Sequence, residues 1–308
     1  MISDKDEKIQ IMYGIKGEKK LTEKILSHLA GYKGSEPVRI GNAAYRQKQN
    51  DIYGVLMDMI YKQFMLFENS IEITESLWTL IRSIIRTVAK NWYKPDRGIW
   101  EFRAMPRHFT FSKVLCWAAI DRGIKIASLL KQDKYLHEWS VLREKIKKNI
   151  LKHAWNDKIK AFTQYYGSDD LDASNLLIES YGFIKADDKK YVGTVKATYK
   201  KLCRNGLMYR YKNKDDFGLP SSSFTVCTFW LIIALHKTGQ KQKAEILFND
   251  LLSYSNHLGL FSEDIDFETK RLLGNFPQAY SHIALIETAI YLNEGNIDDE
   301  HEILEAIQ

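Results

Sequence analysis

Cysteine is scarce: Cys116, Cys203 and Cys227 are odd in number, far apart and set in apolar runs. They read as small buried hydrophobes in a reducing compartment, and indicate neither disulfides nor a cysteine-type zinc site. No run of about 18 apolar residues occurs, and the opening "MISDKDEKIQIMYG" is charged where a signal peptide needs an apolar stretch. The cytoplasm is therefore the expected location, with no membrane partner. The eight histidines show no H-x-x-x-H or H-E-x-x-H spacing, so no metal is expected. "GIKGEKK" lacks the strand and spacing of a phosphate loop, and no cofactor is expected either.

Charge is present without being concentrated. The net +6 is spread over lysine-rich segments such as 144–152 and 185–201, which read as solvated outer helix faces rather than a nucleic-acid stripe. With 45% hydrophobic and 12% aromatic residues, the 308-residue chain can bury a large core in one large domain or two small ones.

From about Asn42 the pattern is helical, with no convincing alternation of period two. Leu77, Leu80, Ile81, Ile84, Ile85 and Val88 fall on one helix face, as an outward amphipathic helix requires. By contrast "FTVCTFWLIIALH" (224–236) and "AYSHIALIETAIYL" (279–292) are apolar nearly all round, as helices enclosed by others must be. The patterns predict nine helices, near 42–64, 72–92, 110–131, 134–155, 171–181, 187–204, 222–237, 240–256 and 278–293.

Tight connectors at 131–133, 182–186 and 237–239 alternate with long ones at 31–41, 93–109, 156–170, 205–221 and 258–277. In an up-and-down array all the long loops would then emerge at one end, where a site is expected. The prolines Pro37, Pro95, Pro106, Pro220 and Pro277 lie in those loops or at the helix starts after them. Repeating inner and outer helices form either an open solenoid or a closed ring, and the lack of a repeat consensus favours the ring.

Two long loops each carry a glutamate in unusual company: Glu101 in "GIWEFR" and Glu263 in "LGLFSEDID". An acid beside Trp100 and Phe102 can be desolvated and kept protonated as a general acid. Glu263, near Ser262, Asp264 and Asp266, has a more polar setting that keeps it ionised. Six predicted helices separate them, so antiparallel passes return both to one end. Such a pair suits glycoside hydrolysis, in which one carboxyl protonates the leaving oxygen and the other activates water. Loop glutamates are also common on surfaces.

"GYKGSEPVRIGNAAYRQKQNDIYG", "PDRGIWEFRAMPRHFTFSKVLCWAAIDRGIKIA", "SSSFTVCTFWL" and "LGLFSEDIDFETKRLLGNFPQAYSHIALI" resemble bacterial members of the glucoamylase-like glycoside hydrolases, family 15. The resemblance runs from about Met12 to Leu292. It implies an all-α (α/α)6 barrel and an inverting hydrolase of α-linked glucosides, of the kind seen in glucoamylases, glucodextranases and trehalases. By the motif matches, Glu101 takes the general-acid role and Glu263 the general-base role. Arg210 in "LMYRY" matches an arginine that binds the terminal glucose, Trp100 would line the same subsite, and the segment from Arg39 to Asp51 would form another wall. An oligosaccharide or disaccharide is the implied substrate.

Two departures accompany the resemblance. About nine of twelve barrel helices are present, so the ring is expected to be incomplete, with the family's first three helices lying upstream of Met1 and the N-terminal β-sandwich usual in bacterial relatives expected to be absent. The implied division is a rim segment at 1–41, a partial catalytic domain at 42–293 and a tail at 294–308. Helices 42–64 and 278–293 would then expose apolar side chains unless a second chain supplies the missing helices. Ser221 and Ser222 also stand where many relatives have Glu-Gly, which implies an altered polar contact at that rim.

Arg103 and Arg107 are placed either to grip sugar hydroxyls or to pair with carboxylates such as Asp96. His108 is expected to cap or pack, His282 to be a satisfied core histidine, and Phe229, Trp117 and Trp230 to be core. Two competing readings remain open: a non-catalytic remnant binding a glycan or partner protein through the old cleft, and a helical solenoid used only for protein contacts.

Overall fold

The computed structural model describes residues 9–66, 75–215 and 218–293. Among them are eight α-helices: α1 (Asp51–Leu66), α2 (Glu75–Asn91), α3 (Thr110–Leu129), α4 (Leu136–His153), α5 (Lys189–Leu202), α6 (Thr225–Lys237), α7 (Lys241–Leu252) and α8 (Ala279–Asn293). The tail expected at 294–308 lies outside the described residues, as does the start of the helix expected at 72–92.

The helices fall into two layers. α1 packs on α3, α6 packs on α8, and a 3-10 turn at Ala173–Leu177 lies between α3 and α6; α2, α4, α5 and α7 cover this series from outside. α3 and α6 are buried almost throughout, from Thr110 to Gly123 and from Thr225 to Leu235. α2 shows the opposite pattern, burying one stripe at Trp78, Ile81, Ile84, Ile85 and Val88.

α1 and α3 run parallel and close. A Cβ on Gly54 would lie 2.3 Å from the Leu115 carbonyl oxygen, so only glycine permits this approach. Two turns further along, Arg122 donates from Nε to Asp58 and from Nη1 to Asp121, both at 2.7 Å, and from Nη2 to the Tyr181 carbonyl at 3.1 Å. Those three partners satisfy a guanidinium that is buried between α1, α3 and the turn region.

Three expectations change. The helix expected at 171–181 is a five-residue 3-10 turn. Asp172 caps it, accepting from Ser174 N–H, and Asn175 Nδ2 donates to the carbonyls of Phe162 and Thr163. Those bonds tie the segment to its neighbour instead of letting it wind on. The helix expected from 42 begins only at Asp51, because Asn42 caps a separate 3-10 turn at Ala43–Arg46.

Short strands, not foreseen, pin the long loops: β1 (Lys24–Ile25), β2 (Arg39–Ile40), β3 (Trp155–Asn156), β4 (Ala161–Phe162), β5 (Cys203–Arg204), β6 (Leu207–Met208), β7 (Ser223–Phe224), β8 (Asp264–Ile265) and β9 (Leu272–Leu273). They pair antiparallel as β1–β2, β3–β4, β5–β6 and the three-stranded β7–β8–β9. Two residues are too few to display a period of two.

The layered series is open between α1 and α8. α8 buries only Ser281, Ala284 and Thr288, while Tyr280, Ile283 and Ile286 are 43%, 63% and 60% exposed. On α1, Val55 and Met59 are exposed likewise.

Candidate active site

The long connectors lead into the N-termini of α1, α3, α6 and α8, and they are bonded to one another. Asn42, ahead of α1, donates from Nδ2 to Glu101 Oε2 at 3.1 Å. Thr110 N–H at the start of α3 donates to the Gln164 carbonyl, and Thr225 N–H at the start of α6 donates to the Glu263 carbonyl, each at 2.9 Å. Neither α3 nor α6 has a capping side chain at its N-terminus, so a neighbouring loop supplies the acceptor.

The loop carrying Glu101 is closed by paired backbone bonds between Asp96 and Arg107. Asp96 is buried and accepts Asn50 N–H at 2.7 Å; burial pushes its carboxyl up to about 6. Gly98 adopts φ 65°, and a Cβ there would meet the Phe109 ring at 2.8 Å. Glu101 itself has φ 57°, an uncommon conformation for a non-glycine residue, held here by the surrounding bonds. Gln47 Nε2 donates to its carbonyl at 2.9 Å.

The aromatics flanking Glu101 are engaged elsewhere. Phe102 stacks on Phe109 with centroids 5.1 Å apart. Trp100 donates its indole N–H to both oxygens of Asp172 at 2.9 Å and sets its ring against Tyr211, Phe224 and Trp230.

Glu101, Trp100, Arg210, Arg39 and Arg103 line one cleft of about 310 Å³, with Glu23, Asn42, Tyr211 and Asp215. Arg210 is held from three sides. Its carbonyl accepts Ala173 N–H at 2.9 Å, Nη2 pairs with Asp215 at 3.1 Å, and the guanidinium lies over the Tyr211 ring at 5.0 Å. Arg210 and Asp215 also line an adjoining cavity of about 200 Å³ with Ser222 and Asp264. Asp264 is pushed up to about 6 by burial, against the hydrogen bond from Ser222. Arg210 Nε and Asp264 Oδ1 are buried there without a hydrogen-bond partner among the described residues.

Residues 1–290 match the family described as Glycosyl hydrolases family 15. The chain belongs to this family. A trehalase of Mycolicibacterium smegmatis is 43% identical over 287 residues, covering 92% of this chain and 42% of that protein. A trehalase of Thermoplasma volcanium is 37% identical over 292 residues, covering 94% and 46%. The chain thus spans less than half the length of these two relatives. A glucoamylase structure from Saccharomycopsis fibuligera superposes with a TM-score of 0.63 at 12% identity, covering 80% of this chain and 70% of that one. The helical series accordingly forms part of the (α/α)6 fold of family 15.

Within this family 15 chain, the expected site residues are not all brought together. Glu263 does not line the 310 Å³ cleft. It immediately precedes β8, whose Asp264 pairs with Phe224, and its Oε2 accepts Asn275 N–H at 3.1 Å and Asn275 Nδ2 at 2.9 Å. Arg103 pairs with Glu23 at 2.7 Å, and Arg39 approaches the same carboxylate at 3.8 Å. Arg107 stacks on Tyr165 at 4.2 Å. Among other residues, His282 is satisfied by the Gln278 carbonyl and Phe261 N–H, while His108 stacks on Tyr166.

Sequence reasoning missed Glu23, Asp172 and Asp215, and placed Asn42 within a wall of the site without singling it out. Glu23 joins Arg39 to Arg103, whose hydrogen bond holds its carboxyl below the usual range. Asn42 stands inside a quoted motif, and Asp172 opens "DAS", a side-chain capping signal that could have marked it. Glu23 is 78 residues from Glu101, in a segment with no helical period to flag it. Among the described residues, no His, Cys, Asp and Glu side chains gather as a metal site. No described helix is long and apolar enough to cross a membrane.

Proposed function

We propose that this family 15 chain carries the catalytic core of an inverting hydrolase of α-linked glucosides, with trehalose the favoured substrate. The carrying observation is the cleft that Glu101 shares with Trp100, Arg210, Arg39 and Arg103. The trehalase relatives support the choice of substrate. In this reading Glu101 gives its proton to the glycosidic oxygen as the bond from anomeric carbon to oxygen breaks. Water attacks the opposite face of that carbon and loses its proton to Glu263, so one glucose leaves with inverted configuration. Arg210, which lines the cleft beside Glu101, supplies hydrogen bonds to sugar hydroxyls. The mechanism calls for a carboxyl separation of about 6.5–9.5 Å in the loaded site.

The open edge between α1 and α8 belongs to the same proposal: a helical complement laid against Val55, Met59, Tyr280, Ile283 and Ile286 completes the ring. It also favours a second reading, sugar binding without turnover in the isolated chain.

The test is hydrolysis of trehalose, maltose and isomaltose by the purified chain, followed by proton NMR of the first-formed anomer. Turnover releasing β-glucose, lowered about 10²–10⁴-fold by Glu101→Gln and by Glu263→Gln, is expected. Saturable sugar binding with no turnover gives the second reading. Turnover indifferent to both variants removes the proposed roles.

A further inference from the structure

Asp172 is among the most elaborately bonded side chains near the cleft, yet it does not line it. Its carboxylate is 3% exposed and accepts from Trp100 Nε1 at 2.9 Å on both oxygens, from Gln164 Nε2 at 3.0 Å, from Ser174 N–H at 2.8 Å and from Ser174 Oγ at 2.6 Å. A neutral asparagine or serine would cap the short turn after it equally well. A buried carboxylate carries a desolvation cost that a cap does not require, and burial indeed raises this carboxyl against those bonds.

The carboxylate holds one wall, and the backbone of the residue after it holds the other. One wall is the Trp100 indole, covalently next to Glu101 and edge-on to Phe224, whose strand partner is Asp264, the neighbour of Glu263. The other is Arg210, whose carbonyl is fixed by N–H of Ala173, the first residue of the turn that Asp172 opens.

We propose that Asp172 is a positioning residue that sets the spacing of Glu101 from Arg210 and from Glu263, which precedes β8, acting through the Trp100 indole. The proposal rests on the hydrolase reading for its effect on turnover, but not for the link itself. An asparagine at 172 leaves a single oxygen where the carboxylate has two, so the Trp100 N–H, shared between both oxygens, loses one acceptor and faces an amide donor in its place. The indole then loses a bond and the loop its fixed position. A misplacement on the order of 1 Å lowers turnover about 10²-fold.

Two readouts separate the link from the reading. In ¹⁵N-labelled protein, the Trp100 indole N–H resonance, identified by its loss in Trp100→Phe, is expected to move upfield in Asp172→Asn while the other indole resonances stay. On trehalose, Asp172→Asn and Trp100→Phe are each expected to lower kcat about 10–100-fold with KM changed less than about threefold, and the double variant to fall no further than the worse single. An unmoved resonance overturns the proposal, as do multiplying single effects or a loss confined to KM. Should Asp172→Asn fail to fold, Trp100→Phe, which keeps an aromatic side chain but lacks the N–H donor, must show the kcat loss alone; unchanged kcat overturns the proposal. A chain with no turnover counts against the hydrolase reading, and the resonance then decides the Asp172 link by itself.

Discussion

Helices α6 and α8 are written in nearly the same alphabet, apolar on all sides, yet they live in different surroundings. α6 buries every side chain from Thr225 to Leu235, whereas α8 leaves Ile283 and Ile286 63% and 60% exposed. α6 has the 3-10 turn, α7 and α8 around it; α8 has α6 as its main helical neighbour. An apolar perimeter thus reports the neighbours a helix can accept, not those it has. The same contrast divides α1, which presents Gly54 and Met57 to α3 and leaves Val55 and Met59 exposed.

Substitutions sharpen this contrast. The largest effect is expected for Phe229→Ala at the centre of α6, where Phe229 is fully buried against Phe248 and Phe261. Urea denaturation is expected to show a loss of about 3–5 kcal/mol.

Next comes a pH-dependent effect at the start of α1. Asp51 is pushed up to about 7 by burial, and secondarily by Asp96, so the native state holds its proton more tightly than the unfolded chain. Stability from this group is therefore present below about pH 4, lost as pH rises to about 7, and flat above. Asp51→Asn should leave stability unchanged at pH 4 and raise it at pH 8, by on the order of 4 kcal/mol at most.

Gly54→Ala, on the packed side of α1, is expected to lose about 1–3 kcal/mol, since its Cβ would overlap the Leu115 carbonyl. The smallest change is expected on the open side: Ile283→Ser should stay within about 0.5 kcal/mol in the chain alone. A loss at Ile283 as large as that at Phe229 would mean that the face is covered in solution.

The same comparison shows where sequence reading succeeds. The α2 stripe of Ile81, Ile84, Ile85 and Val88 was legible because one face meets the core and the other meets water, although the buried Trp78 was not picked out. The enclosed character of α6 was legible too, and the same signature overstated the burial of α8. The 3-10 turn at Ala173–Leu177 was misread as a helix because its termination depends on Asn175 bonding to a distant segment.

In the site, Glu101 stood out through its motif, and the cleft adds Trp100, Arg210, Arg39 and Arg103 beside it. The Asn42–Glu101 and Trp100–Asp172 bonds join residues 59 and 72 positions apart, beyond the reach of any local periodicity. Glu263 was legible as a residue, but its engagement with Asn275 was not, since it arises from the turn after β9.

The borrowed helix starts of α3 and α6 bear on how such a chain can diversify. Each helix takes its first acceptor from another loop's carbonyl: Gln164 serves Thr110, and Glu263 serves Thr225. A change in the course of one of these loops, rather than in its side chains, would take the acceptor from a helix elsewhere. The first turn of each helix therefore depends on the backbone course of a loop far away in the chain.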